Sequence, residues 1–202
     1  MRVAVLASGA GTNLQALLDQ VHGRDGVEIV AVGSDRPEAY ALERARAAGV
    51  AVAEFPIASF ADRAARDAAI AGWLEQREVG LVVLAGYMQL LSPGFLERFR
   101  GRVINVHPAL LPAFPGLHAV QQALAYGVKV FGVTVHFVDD GVDTGPVILQ
   151  RAVEVPRARS AEEVMERLQP IEHELLPEAV RLIAAGAVRI DPDNPRRVLI
   201  DR

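Results

Sequence analysis

The feature that most constrains this chain is an alternation between two hydrophobic periods. Residues 3–7, 27–32, 50–53, 80–85 and 103–106 form short, almost continuous apolar runs. Between them lie segments in which apolar residues recur every third or fourth position, as Leu14, Leu17, Leu18 and Val21 do. An unbroken apolar run of that length reads as a strand covered on both faces, whereas the wider spacing reads as a helix with one buried side. Strands alternating with helices predict an α/β fold with a mostly parallel central sheet. Sites in such folds lie at the carboxyl ends of the strands.

The predicted helices cover residues 13–21, 37–48, 60–76 and 119–126, with Gly49 and Gly127 as stops and Pro37 near a first turn. Ser92-Pro93 opens a further short helix. Ser160-Ala161-Glu162-Glu163 is a capping box that starts a long helix reaching about Ala185, in which Pro170 and Pro177 are expected to kink or break the run. Residues 132–138 alternate Val133, Val135 and Phe137 with Thr134 and His136, as a strand with unlike faces does. The strand at 146–155 follows with no helix between, which predicts an antiparallel edge. A tail or short hairpin is expected after Gly186.

At 202 residues the chain fits a single domain, 1–202, with the terminal segment 187–202 as a small extension. The net charge of −4, without long charge runs, argues against a nucleic-acid partner. There is no cysteine, which excludes disulfides, thiolate metal sites and a cysteine nucleophile. No signal peptide and no membrane-spanning run is read, so the expectation is a soluble, cytoplasmic protein. Oligomeric state is not legible.

Two loops and one strand end carry chemistry. Ser8-Gly9-Ala10-Gly11-Thr12-Asn13 joins the first strand to the first helix. Its glycines allow a sharp turn and close approach to a ligand, and the helix N-terminus suits a phosphate. Ser8, Thr12 and Asn13 add side-chain donors. The alternative is a tight turn with no ligand. A dinucleotide fingerprint fits less well, because Leu14 stands where a third glycine is needed, although Asp35 follows the second strand.

Asn105-Val106-His107-Pro108 lies at the end of a central strand. Residues two apart point the same way, so the Asn105 carboxamide and the His107 imidazole share one face, a useful pair for an oxygen that becomes negative during acyl transfer. The alternative is two buried polar residues that tie down the next loop. Asp139-Asp140-Gly141-Val142-Asp143-Thr144-Gly145-Pro146 links two strands and also reads as an ordinary turn. Were Asp143 to reach His107, it would favour the imidazolium. His107, His118, His136 and Asp143 match no common zinc spacing, and no metal is expected. His136 reads as structural or as a supporting donor; His118 as a cap of its helix or a substrate contact.

These segments, with Leu84-Ala85-Gly86-Tyr87-Met88, Pro115-Gly116-Leu117-His118 and residues 132–138, resemble the phosphoribosylglycinamide formyltransferase family of the folate-dependent formyltransferase superfamily. The resemblance covers nearly the whole chain and implies a Rossmann-like formyltransferase fold with helices on both faces of the sheet, residues 1–100 being the nucleotide- or phosphate-binding half and residues 101–186 the catalytic and folate-binding half. It implies transfer of the formyl group of 10-formyltetrahydrofolate, a co-substrate, to the amine of 5-phosphoribosylglycinamide. Small molecules would be the partners, with no nucleic acid, membrane or metal. By motif position, Asn105, His107 and Asp143 would be catalytic. Gly11, Thr12 and Asn13 would hold the substrate phosphate, and Gln169, Pro170, Ile171 and Glu172 the rest of that substrate. Arg63, Met88, Gln89, Leu90, Leu91, Asn105 and the run Asp139, Asp140, Gly141, Val142, Asp143 would meet the folate. Gln89 stands where several relatives carry arginine, and Pro170 and the segment after Gly186 depart from the pattern. The rivals are a methionyl-tRNA formyltransferase, a formyltetrahydrofolate hydrolase and a nucleotide-sugar formyltransferase, each expected to differ in length, charge or phosphate loop. From another class, a non-catalytic nucleotide-binding α/β module would also use the glycine loop.

Overall fold

The computed structural model describes residues 1–201. The chain divides into two compact units, Met1–Ile104 and a second that begins at Asn105.

The first unit contains β1 (Arg2–Leu6), α1 (Thr12–Gln20), β2 (Glu28–Ser34), α2 (Tyr40–Ala47), β3 (Ala51–Glu54), α3 (Arg63–Glu75), β4 (Leu81–Leu84) and α4 (Pro93–Arg98). Its strands lie in the order β3-β2-β1-β4, and each neighbouring pair is parallel. Val3, Ala4, Val5 and Leu6 are fully buried, which is why β1 shows no polar face in the sequence. Asp62 caps α3 by accepting from Ala65 N at 2.7 Å, and Ser92 caps α4 with Pro93 at its first position. The second helix starts later than its proline predicted. The Ala39 N–H closes a turn on the Arg36 carbonyl at 3.1 Å, so Pro37 belongs to that turn and α2 begins at Tyr40.

The strand β5 (Val103–His107) runs into the second unit, which adds α5 (Ala119–Tyr126), β6 (Val130–Phe137), β7 (Val147–Glu154), α6 (Ala161–Ala184), β8 (Val188–Asp191) and β9 (Asn194–Ile200). β6 and β7 are antiparallel, with a register shift between Val135 and His136. Every residue from Phe131 to Phe137 is buried. The alternation in this strand therefore marks two buried faces, one apolar and one carrying Thr134 and His136. β8 and β9 form a separate antiparallel pair. All seven other strands belong to one mostly parallel sheet, β3-β2-β1-β4-β5-β6-β7, with the expected antiparallel edge.

Neither Pro170 nor Pro177 breaks α6, which is continuous over 24 residues. An internal proline costs about 3 kcal/mol. Against that, Val164, Leu168, Leu175, Leu176 and Val180 bury their side chains, each worth about 1.5–3 kcal/mol, and the helix packs on β6 and β7. At its start the capping box is modified. The Ser160 hydroxyl accepts from Glu163 N at 3.2 Å, but the Glu163 carboxylate accepts from Arg159 N at 2.9 Å, one residue before the cap. Among the described residues, no helix is long and apolar enough to cross a membrane.

Two glycines should respond oppositely to alanine. A Cβ on Gly145 would sit 1.8 Å from the Phe137 carbonyl oxygen, whereas a Cβ on Gly72, inside α3, meets nothing within 4 Å. Denaturant unfolding should show Gly145→Ala destabilised by about 3 kcal/mol or more and Gly72→Ala stabilised by about 0.5–1 kcal/mol. Equal effects would contradict this packing.

Candidate active site

Three segments of the second unit converge on the Asp143 carboxylate. The strand β5 ends in Asn105-Val106-His107, and the two-residue spacing puts both polar side chains on one face. His136 comes from β6, and Asp143 from the loop before β7. Asn105 Nδ2 donates to Asp143 Oδ1 at 3.3 Å, and the Gly116 N–H donates to Oδ2 at 2.8 Å. His107 Nδ1 lies 3.3 Å from Oδ2 and His136 Nε2 3.5 Å from Oδ1. The contact expected between Asp143 and His107 is thus present.

The neighbours of each histidine assign its protons. His107 Nε2 faces the Phe114 carbonyl at 2.9 Å while its Nδ1 faces the carboxylate. Both nitrogens point at acceptors, an arrangement that suits the imidazolium. His136 donates from Nδ1 to the Phe137 carbonyl at 2.7 Å, and its Nε2 lies 3.5 Å from Asp143 Oδ1 and 3.3 Å from Asn105 Nδ2. Burial pushes the Asp143 carboxyl up, but the His136 and Gly116 hydrogen bonds and the charges of the two histidines outweigh it and hold the group at about 2.

The backbone around this cluster is fixed by polar contacts centred on the buried Thr134 hydroxyl. The Thr134 hydroxyl donates to the Ala109 carbonyl at 2.7 Å and accepts from Leu111 N at 3.2 Å. Gln150 Nε2 donates to Thr134 Oγ1 at 2.9 Å and to the Leu111 carbonyl at 2.8 Å. The loop after β5 is therefore pinned to β6 and β7. Phe114, His118 and Asp143 adopt φ of 54°, 61° and 53°, a left-handed region that side chains disfavour. His118 sits at the N-cap of α5 but makes no side-chain cap, because its own backbone makes the turn. Asp139 faces its own loop, accepting from Gly141 N at 3.1 Å and Thr144 Oγ1 at 2.6 Å, while Asp140, Gly141 and Val142 are exposed. On α6, Glu172 is buried on the apolar face, Gln169 and Ile171 are partly exposed and Pro170 is exposed.

The first unit holds the other candidates. Gly11 is the N-cap of α1 with φ 70°, and a Cβ there would lie 2.7 Å from Ala41, so packing on α2 alone demands glycine. Thr12 and Asn13 form the first turn, which has no side-chain cap at Gly11 and no acidic residue. Ser8 is not a donor to this loop's exterior. Its hydroxyl donates to Asp35 at 2.5 Å and accepts from Met88 N at 2.9 Å, so Asp35 is also committed internally. Arg63 opens α3 and is exposed. Met88 and Leu90 are exposed, Gln89 partly so, and Leu91 is buried.

Reasoning from sequence missed the Gly116 N–H, the Phe114 carbonyl and the buried pair Arg66–Asp67. The last left a trace: Arg66 precedes Ile70 and Leu74 at four-residue intervals, on the buried stripe of α3. Among the described residues, no group of three or more His, Cys, Asp or Glu side chains is placed to hold a metal ion.

A mostly parallel α/β sheet with a largely buried amide–imidazole–carboxylate cluster at one strand end is a Rossmann-like architecture with its polar site where such folds hold ligands. The chain belongs to the formyl transferase family, whose profile it matches over residues 1–180. It is similar to the phosphoribosylglycinamide formyltransferase of Mycobacterium tuberculosis, 48% identical over 94% of this chain and 87% of the relative. The corresponding enzyme of Bacillus subtilis is 40% identical over 89% of this chain and 93% of its own length. The crystal structure of glycinamide ribonucleotide transformylase 1 from Symbiobacterium toebii superposes with a TM-score of 0.95 at 50% identity, covering 100% of this chain and 94% of that one.

Since the folded Asp143 titrates below the ordinary value near 3.9, its charged form stabilises the fold at neutral pH, and this contribution is lost as pH falls through 4 toward 2. The gap in unfolding free energy between the wild-type chain and Asp143→Asn should narrow by about 2 kcal/mol between pH 5 and pH 2. A gap that does not change with pH would refute the ionic role.

Proposed function

We propose that this enzyme transfers the formyl group of 10-formyltetrahydrofolate to the primary amine of 5-phosphoribosylglycinamide, a step of purine biosynthesis, and that residues 1–202 act as one domain for this reaction. The observation that carries the reading is the convergence of Asn105, His107 and Asp143 on one point, with the His107 ring between two acceptors. The names of the relatives support the substrates.

The chemistry follows from the donors. The substrate amine forms a bond to the formyl carbon, whose oxygen gains charge, and the bond from that carbon to the folate nitrogen then breaks. Asn105 donates to the charged oxygen. Its contacts at 3.3 Å are long, and a fully charged acceptor displaces them. His107, as imidazolium, stabilises the same charge and supplies a proton to the departing nitrogen, while the amine loses one. Asp143 keeps His107 charged and oriented and passes protons through water.

Gly11, Thr12 and Asn13, at an N-terminus without acidic residues, take the phosphate. Glu172, with Gln169, Pro170 and Ile171 around it on α6, meets the amine end of that substrate. Met88 and Leu90 present apolar side chains, as a flat, mostly apolar pterin requires. Gln89, Leu91 and residues 139–143 complete the folate contacts, and Arg63 meets its acidic tail.

Purified enzyme should consume 10-formyltetrahydrofolate only when glycinamide ribonucleotide is present; turnover with water or with charged tRNA alone would sink the assignment. His107→Ala and Asp143→Asn should each lower kcat by about 10²–10⁴ with folate binding retained. A near-normal rate in either variant removes that residue from the mechanism.

A further inference from the structure

The loop from Tyr87 to Ser92 has an exposed apolar side and a buried polar underside. Met88 and Leu90 are 51% and 56% exposed. Beneath them, Arg66 and Asp67 are 2% and 0% exposed, although both are charged. A buried ion pair in a helix that has ample apolar residues is costly to desolvate, and that cost calls for a use beyond stability.

Their contacts indicate the use. Arg66 Nε and Nη2 donate to Asp67 Oδ1 at 3.1 and 3.0 Å. The remaining arm of the guanidinium, Nη1, donates to Gln89 Oε1 at 3.2 Å. The second carboxylate oxygen, Asp67 Oδ2, accepts from Ser92 N at 2.5 Å. Ser8 Oγ takes Met88 N at 2.9 Å at the other end of the segment. Tyr87 is buried, and its hydroxyl has no hydrogen-bond partner, so it adds packing and no tether. Position 89 is thus held through its side chain and positions 88 and 92 through their backbone, two of these three anchors coming from the one ion pair on α3.

We propose that Arg66 is a positioning residue for the co-substrate: with Asp67 it braces the 88–92 segment from beneath, so that the apolar surface of Met88 and Leu90 is formed before the folate arrives. This rests on the reading above that the segment meets the folate. Arg66 itself touches no substrate. Its planar fork serves Asp67 and Gln89 at fixed angles, which a lysine ammonium does not reproduce.

Steady-state kinetics of the full chain with Arg66→Lys and Gln89→Leu test the idea, with thermal unfolding measured alongside. Arg66→Lys should raise the KM for 10-formyltetrahydrofolate about tenfold, leaving kcat and the KM for glycinamide ribonucleotide within about twofold. Gln89→Leu leaves the ion pair intact and should raise the same KM by a smaller factor. If Arg66→Lys does not fold, Asp67→Asn, which alters the same brace at a residue that is no folate contact, decides the matter by the same split between the two KM values. A folate KM unchanged in the folded variants, or both KM values rising together with a lowered Tm, overturns the positioning role. A wild-type chain that does not use 10-formyltetrahydrofolate refutes the parent reading instead, so the two failures are distinguishable.

Discussion

A single carboxylate organises the polar cluster of the second unit. Asp143 is only 14% exposed in its side chain, yet it remains ionised. An unpaired buried carboxylate costs far more than a domain can spare, so it must be surrounded by donors. Asn105, His107 and His136 come from β5 and β6, and Gly116 from the loop between them. Satisfying Asp143 therefore sets the relative position of two strands and two loops. The same contacts leave His107 with acceptors on both nitrogens, so satisfying the carboxylate and orienting the imidazole are one problem with one solution.

That solution is bought with backbone strain. Phe114 and Asp143, each bearing a side chain, adopt left-handed φ on opposite sides of His107. Such conformations cost of order 1–3 kcal/mol each and persist only where the surroundings over-determine them. The surroundings here are the Thr134 and Gln150 network, which fixes the carbonyls of Ala109 and Leu111, and the close approach of Gly145 to Phe137. Strain sits where the site is, and the rigid polar network sits directly behind it.

Much of this was legible in the sequence, and the parts that were not share a cause. The alternation of strand and helix, the antiparallel β6–β7 edge and the shared face of Asn105 and His107 all follow from local periods. The Asp143–His107 contact joins residues 36 apart, and no local rule reaches across that distance; the motif resemblance raised it, and the coordinates show it. Main-chain partners such as Gly116 N and Phe114 O carry no side-chain signature at all. Proline carries no fixed local meaning. Pro37 was absorbed by a turn, and Pro170 and Pro177 by a helix whose buried face outweighs their cost.

In the first unit the polar residues divide differently from what their chemistry alone implies. Ser8 and Asp35 look like ligand contacts, but the Ser8 hydroxyl donates to the Asp35 carboxylate inside the fold. Arg66 and Asp67 look like surface charges, yet they lie in the core under an exposed apolar loop. Gly11 looks like a phosphate-loop glycine, but the approach of Ala41 requires it whether or not a phosphate binds. With these polar groups turned inward, what the 88–91 segment presents outward is chiefly apolar side chain and main chain. The form of that surface depends on how firmly the buried groups hold it, and the Arg66–Asp67 pair, on a helix face that apolar residues would fill at lower cost, holds it at two of its anchors.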